Sequence, residues 1–529
     1  MKTPFFILIF SFSTFLCGQN YDTNWKGHFS FLNIKKVVEA ENKFYAASEN
    51  ALFSYDTQTN QLNTITTVNG LSGELISTLH YSYEYQLLLI GYENGLIEIY
   101  SETDQEILKV VDIINKVTIP PSQKKINHFN EFNSLIYIAT DYGISVYSLE
   151  GLEFGDTYYI GSNGSQIRVN QTAILNNEIY AACGLNNGIK KASLSNSNLT
   201  DFQLWGTIVS GDFTAVLASA SSIYAVNLSN TIFEINGTAL NTLFNFPQPV
   251  VELNTSETKL LVTTNSKVYQ YGPGFNLIDT YSLPTELDTF FTCALITGAD
   301  VYIGTKNYGI IRPDPLAVYG YEEIHPEGPL RNAAFSLTYG YGNLWVTYGE
   351  YSIFFNPSPS RNYGISNYVD MNWHNTTYDS IQQATNKTVS NLNAISINPL
   401  NPDQVFISSF AHGLLNFQKE ESITVLDDSN SALESLVLPG SPNYKSIRIS
   451  GSTFDGNGNL WVLNSKVDNA LKKFNPSNLS WTSYDFSNVI SDPIDEELGF
   501  SEVVTGSGQT KWIGSYNKGL IGFNESGML

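Results

Sequence analysis

The sequence predicts an all-β protein assembled from a repeated four-stranded unit, and two observations carry the prediction. A short phrase, IYIATDYGISVYS at 136–148, returns along the chain as FYAASENALFSYD, LLIGYENGLIEIYS, VYIGTKNYGIIRP and KWIGSYNKGLIGF. Each copy is rich in Tyr, Phe, Ile and Val, follows a period near two, and is interrupted by Asn, Gly and Ser, which is the pattern of antiparallel strands joined by tight turns. A unit of this kind recurring about every 40 to 45 residues is the signature of propeller blades. The expected architecture is a seven-bladed β-propeller over residues 19–318 followed by a second, incomplete β-propeller over 319–529.

The chain opens with MKTPFFILIFSFSTFLCGQN, one Lys ahead of an apolar run and then small or polar residues, so residues 1–18 read as a secretory signal peptide cleaved before Gln19. Cys17 also raises a lipoprotein reading, which Leu16 opposes because the residue before a lipidated Cys should be small. The repeat then aligns on Tyr45, Leu89, Tyr137, Tyr180, Tyr224, Leu261 and Tyr302, and continues at wider spacing through Trp345, Phe406, Trp461 and Trp512. Within one copy, YAAS, LFSYD and LNTITTV are three strands, and LISTLHYS, leading into the next copy, supplies the fourth. An isolated blade would expose two apolar faces, so blades stack about an axis and protect one another's edges. Four copies after residue 319 are too few for a ring like the first, unless WKGHFSF at 25–31 returns to supply strands elsewhere. The stretch 356–392, rich in Asn, Ser, Thr and Pro, reads as an extended surface loop or a poorly ordered excursion.

Composition bounds the function. Hydrophobic residues make up 42% of 529 and aromatics 13%, ample for a folded core. A net charge of −23 opposes sequence-independent attraction to nucleic acid or an anionic membrane, and the Lys pairs at 35–36, 124–125, 190–191 and 472–473 are dispersed. Beyond the leader no run reaches the roughly 20 apolar residues of a membrane-spanning helix. Cys183 and Cys293 fall about three repeats apart and read as buried thiols.

The stretch KINHFNEFNSLIYIATDYGISVYSLEGLEFGDTYYIGSNG at 125–164 resembles the N-terminal propeller of the PorZ family, a component of the type IX secretion system of Bacteroidota. GYENGLIEIY at 91–100 and WKGHFSFLNIKKVVEAENKFYAASENALFSYD at 25–56 are similar to the first blades of that family. NAISINPLNPDQVFISSFAHGLLNF at 393–417 and FDGNGNLWVLNS at 454–465 are similar to two-component regulator propellers more widely. The resemblance implies a non-enzymatic component exported to the cell surface and held at the outer membrane by partners. Those partners are the outer-membrane and surface proteins of the attachment complex, among them a sortase-like cysteine protease, with surface polysaccharide as a further candidate. Family members carry a β-sandwich-type domain after two propellers.

No catalytic, cofactor-binding or metal-ligating residue is assigned. His28, His80, His128, His325, His374 and His412 lack paired metal-ligand spacing. Asp455-Gly456-Asn457-Gly458-Asn459 resembles the start of a calcium loop but lacks its closing acid, and suits a hairpin turn better. Arg168, Arg312, Arg331, Arg361 and Arg448 are scattered over different repeats, against the arginine cluster of a sialidase. Trp373 and Trp481 are candidate carbohydrate platforms, whereas aromatics repeated once per blade read as packing. Recognition is therefore expected of what does not repeat, the rim loops and the axial mouth. Three functions follow: a surface scaffold of the secretion system, the periplasmic sensor of a hybrid two-component regulator, and, least supported, a glycan-active enzyme.

Overall fold

All eleven aligned positions of the repeated phrase fall in the second strand of an antiparallel sheet. Tyr45 lies in Lys43–Ala47, Leu89 in Leu87–Tyr92 and Tyr137 in Leu135–Thr140, and the series continues in this way to Trp512 in Lys511–Ser515. The structure, a computed structural model, describes residues 25–527 apart from 257, 286, 318, 319, 420, 421, 439, 442, 487, 488, 491–498 and 517. The signal peptide assigned to 1–18, with Cys17, lies outside the described residues.

Eleven sheets follow in chain order: 36–65, 76–110, 126–158, 169–209, 213–245, 250–282, 291–324, 336–376, 392–426, 448–484 and 500–523. Among the described residues ten have four strands and the eleventh has three, each strand paired to its sequence neighbour. The fold is all-β and propeller-like. Ile76–Ser82, the run leading into the second copy of the phrase, pairs with Leu87–Tyr92 and so opens the second sheet, where the sequence had it completing a unit. The seventh sheet ends with Tyr321–Ile324, so a boundary at 318 falls before its last strand.

Tight turns keep the hairpins short. Asn133-Ser134 and Asn176-Asn177 hold φ between 50° and 62°, the left-handed region that Asn tolerates and two-residue hairpins require. Successive sheets pack face to face through apolar clusters, such as Leu89, Ile97 and Ile99 against Ile126, Phe129 and Ile136. The seventh sheet packs against the first in the same way, with Cys293, Leu295 and Tyr302 beside Ile34, Val37 and Phe44. Cys183 and Cys293 are free and buried, and burial pushes each thiol up to about 12.

Close approach explains the Gly of the phrase. A Cβ on Gly91 would sit 2.8 Å from Ile126 Cγ2 and 3.0 Å from Phe129 Cε2 of the next sheet. Gly91→Val should therefore overpack this interface and cost about 1–3 kcal/mol in denaturant unfolding, without abolishing strand content by circular dichroism.

Bulges shape the inner edge. In sheets two to seven the register shifts at the second residue of the first strand, leaving Ser77, Asn127, Asn170, Thr214, Val251 and Thr292 unpaired in their own ladders. A bulge re-aims its side chain. Ser77 Oγ donates to Ile126 O at 2.7 Å, Asn127 Nδ2 to Val169 O at 2.9 Å and Asn170 Nδ2 to Phe213 O at 2.8 Å, so these three bulge residues grip the backbone of the following sheet, whereas Thr214 Oγ1 turns back to Val226 O of its own sheet. Asn393 repeats the device in the ninth sheet, donating to Ile449 O at 3.1 Å.

Residues 356–392 correct the expected surface excursion. They include the strands Ile365–Val369 and Asn372–Thr376 and the helix Tyr378–Thr385. Asp370 and Met371 turn the hairpin with φ of 50° and 65°. Thr377 caps the helix N-terminus and Asn386, in the left-handed region, ends it. The segment 25–31 supplies no strand. It runs as a strap over the seam between the first and seventh sheets and onto the eighth: Gly309 N–H donates to Leu32 O at 2.8 Å, and Asn332 Oδ1 accepts from Ser30 N–H at 2.7 Å.

Candidate functional site

Two polar cavities are framed by this arrangement. The first, about 190 Å³, is lined by residues from the first strands of all seven sheets between 36 and 324, including the bulge residues named above. Lys36 of the first sheet forms a buried ion pair with Glu252 of the sixth, and Glu252 Oε2 also accepts the Ala294 N–H of the seventh at 3.0 Å. Burial works against the Lys36 ammonium, but the Glu252 carboxylate outweighs it and holds the pKa above its usual value. His128 lines the same cavity, and its Nδ1 is buried without a hydrogen-bond partner.

Burial, then the charge of Lys36, press the His128 imidazole down to about 3. A folded-state value below the unfolded one of about 6.5 means the unfolded chain takes up the proton first, so acid favours unfolding. Stability should fall by up to about 1.4 kcal/mol per pH unit between roughly pH 6.5 and 3 through this residue. His128→Gln should flatten that part of the stability-pH curve measured by urea titration, and an unchanged slope would assign the loss to other groups.

The second cavity, about 510 Å³, is a cleft between the seventh and eighth sheets, walled by the strap, Glu49 of the first sheet, the loops at 288 and 306–308, and the helix at 378–385. Its size is typical of small-ligand sites. Ser30 Oγ donates to Leu330 O at 2.9 Å, and Gly328 lies so close under the strap that a Cβ would meet Phe29 O at 1.9 Å. Glu49 is fixed by Asn33 Nδ2 at 2.9 Å and Asn332 Nδ2 at 3.5 Å. Arg331 lies over Tyr363 with Cζ 3.9 Å from the ring centroid, and its Nε is buried without a partner. Burial, then the neighbouring Asp288 charge, raise the Asp379 carboxyl above its usual range.

The residues weighed from sequence separate. Arg331 and His325 reach the cleft and His128 the axial cavity. Arg168, Arg312 and Arg361 pair with Asp141, Glu322 and Glu350, and Arg448 donates to Phe355 O at 2.9 Å. Among the described residues no arginine cluster forms. Asp455 spends its carboxylate on the N–H groups of Asn457 and Asn459, the Asn459 amide and Trp461 Nε1, so the stretch is a hairpin turn with Gly458 at φ 76°. Trp481 stacks on Phe474 at 4.4 Å and Trp373 donates to His28 Nδ1 at 3.0 Å, which makes both packing residues. Among the described residues no helix is long and apolar enough to cross a membrane. The cleft itself was invisible in sequence, because its walls come from segments hundreds of residues apart.

Comparison with known proteins bears out the family resemblance. Residues 44–206 match the family model described as the PorZ N-terminal beta-propeller domain of the type IX secretion system. A search of curated proteins finds no match. Among solved structures, PorZ of Porphyromonas gingivalis, described as an essential bacterial surface component of the type-IX secretion system, superposes with a TM-score of 0.79 at 18% identity. The alignment covers 95% of this chain and 66% of that one, so the chain spans just under two thirds of its length. Extracellular domains of the B. thetaiotaomicron system BT4673, described once as hybrid two-component and once as one-component, align at 13% identity with TM-scores of 0.41 and 0.36. They cover 94% and 95% of this chain and 72% and 66% of theirs.

Proposed function

We propose that this chain is a PorZ-type component of a type IX secretion system, on the single observation that residues 44–206 match the N-terminal propeller domain of that family. It acts by recognition and carries out no covalent chemistry: a rigid ring presents rim loops and the cleft to the outer-membrane and surface proteins of the attachment complex, with surface polysaccharide as a second class of partner. The leader at 1–18 exports it, and partners hold it at the cell surface.

In this reading the first seven sheets are the blades of one ring, which the contact of the seventh sheet with the first supports. The remaining four belong to a second ring. Leu337 and Tyr339 on the eighth sheet, and Val504, Trp512 and Leu520 on the eleventh, stay exposed, apolar surface of the kind that packs against a partner. The division between the two units lies after Ile324. The sensor alternative rests on the phrases at 393–417 and 454–465, and the likenesses to solved sensor domains, with TM-scores below 0.5, add nothing to it.

Affinity capture with the full chain from membranes of the native organism tests the proposal. Outer-membrane secretion components should be recovered reproducibly; their absence from repeated captures, or recovery of a histidine kinase instead, would overturn it.

A further inference from the structure

The cleft holds charges of both signs that the protein leaves unneutralised. Among the described residues Arg331 is the arginine whose guanidinium has neither an ion pair nor a hydrogen bond; the other four are all engaged, three by carboxylates and Arg448 by a backbone carbonyl. Its Cζ lies 3.9 Å from the centroid of the Tyr363 ring, which fixes the position of the guanidinium, and a guanidinium free of protein partners offers a fork of donors to a planar oxyanion. Lys306, also on the cleft wall, lies over Phe290 and has no ion pair either. Asp288 and Asp379, both on the cleft wall, carry no ion pair among the described residues, and burial, then the Asp288 charge, raises the Asp379 carboxyl. In a protein with only 27 basic residues to 50 acidic ones, a guanidinium left unpaired in a cavity that also holds acids is positioned for something else.

We infer that the cleft binds a zwitterionic ligand of short-peptide size, whose carboxylate is taken by Arg331 and whose ammonium lies between Asp288 and Asp379. A ligand of one sign would leave the charges of that sign uncompensated, while a ligand of both signs meets a partner at each end of the cleft's charge pattern. The cations and acids come from different elements: Arg331 from the link between the seventh and eighth sheets, Asp288 from the loop before the seventh, and Asp379 from the first turn of the helix. Binding therefore draws on both halves of the chain. The inference does not depend on the secretion-system reading.

Calorimetric titration of the full chain with three probes tests it: N-acetyl-glycyl-lysine as the free acid, the same peptide as its C-terminal amide, and N-acetyl-glycyl-norleucine as the free acid. The first should bind, and the other two, each lacking one charge, should bind at least ten-fold more weakly. Arg331→Met should reduce the free acid to the affinity of the amide, and the pair Asp288→Asn with Asp379→Asn should reduce it to that of the norleucine peptide. Arg331→Lys, which keeps the charge and loses the fork, gives an intermediate affinity and serves should the methionine variant melt early. Equal affinities for the three probes, no binding of the lysine peptide at millimolar concentration, or unchanged affinity in folded variants would each overturn the inference. None of these results bears on whether secretion components are captured.

Discussion

Trp461→Ala should lower the unfolding free energy of this chain by about 4 kcal/mol, the cost of emptying a large aromatic site in a core. Trp461 is fully buried in the tenth sheet, stacks on Tyr484 with centroids 5.6 Å apart, and donates its indole N–H to Asp455 Oδ2 at 2.8 Å. Removing it opens a void against the eleventh sheet, whose Phe500, Val503 and Ile513 share its cluster, and takes one donor from a buried carboxylate. Trp461→Phe restores most of the volume but not the donor, and should lose less. A urea titration followed by circular dichroism checks both. Had the repeated aromatics been a platform for sugars, the alanine variant would keep its stability and lose only binding.

Glu252→Ala should cost about 3–5 kcal/mol, because it strands the Lys36 ammonium in the axial cavity. The side chains are only 17% and 8% exposed, so water compensates little. The loss is also a joint failure: Glu252 ties the sixth sheet to the backbone of the seventh and to Lys36 of the first. The double variant Lys36→Met, Glu252→Met should recover most of the stability, since an apolar pair of similar volume leaves no charge behind. The sign with pH follows from the raised Lys36 value: the contribution is complete below the unfolded pKa of about 10.4 and fades as pH rises through the folded one. Wild type should therefore lose more stability than Glu252→Ala between neutral and strongly alkaline pH. Equal losses in both would show that the pair contributes nothing.

The repeat was legible in sequence because the same packing problem is solved eleven times. A second strand wedged between neighbours demands apolar and small residues at fixed offsets, and Gly91 and Gly304 show how little room remains. What escaped was whatever solves a problem once. The hairpin at Asp370-Met371 uses no Gly, so nothing in its composition announced a turn, and the eight-residue helix that follows is too short for a period to emerge. The bulges were hidden because a register shift changes pairing and leaves alternation nearly intact, yet they decide which polar side chains face the axis. His128 and Arg331 were visible only as scattered members of their residue types; burial and neighbours, which sequence does not carry, distinguish them.

The strap has a mechanical consequence. A load applied at the N-terminal side of residue 29 does not meet the edge of one sheet, where bonds would open one after another like a zipper. It meets Ser30 clasped to Leu330 and Asn332, Leu32 to Gly309, and Ile34 to Thr305, attachments distributed over the seventh sheet and the link that leaves it. Tension arriving there is shared in shear among these attachments.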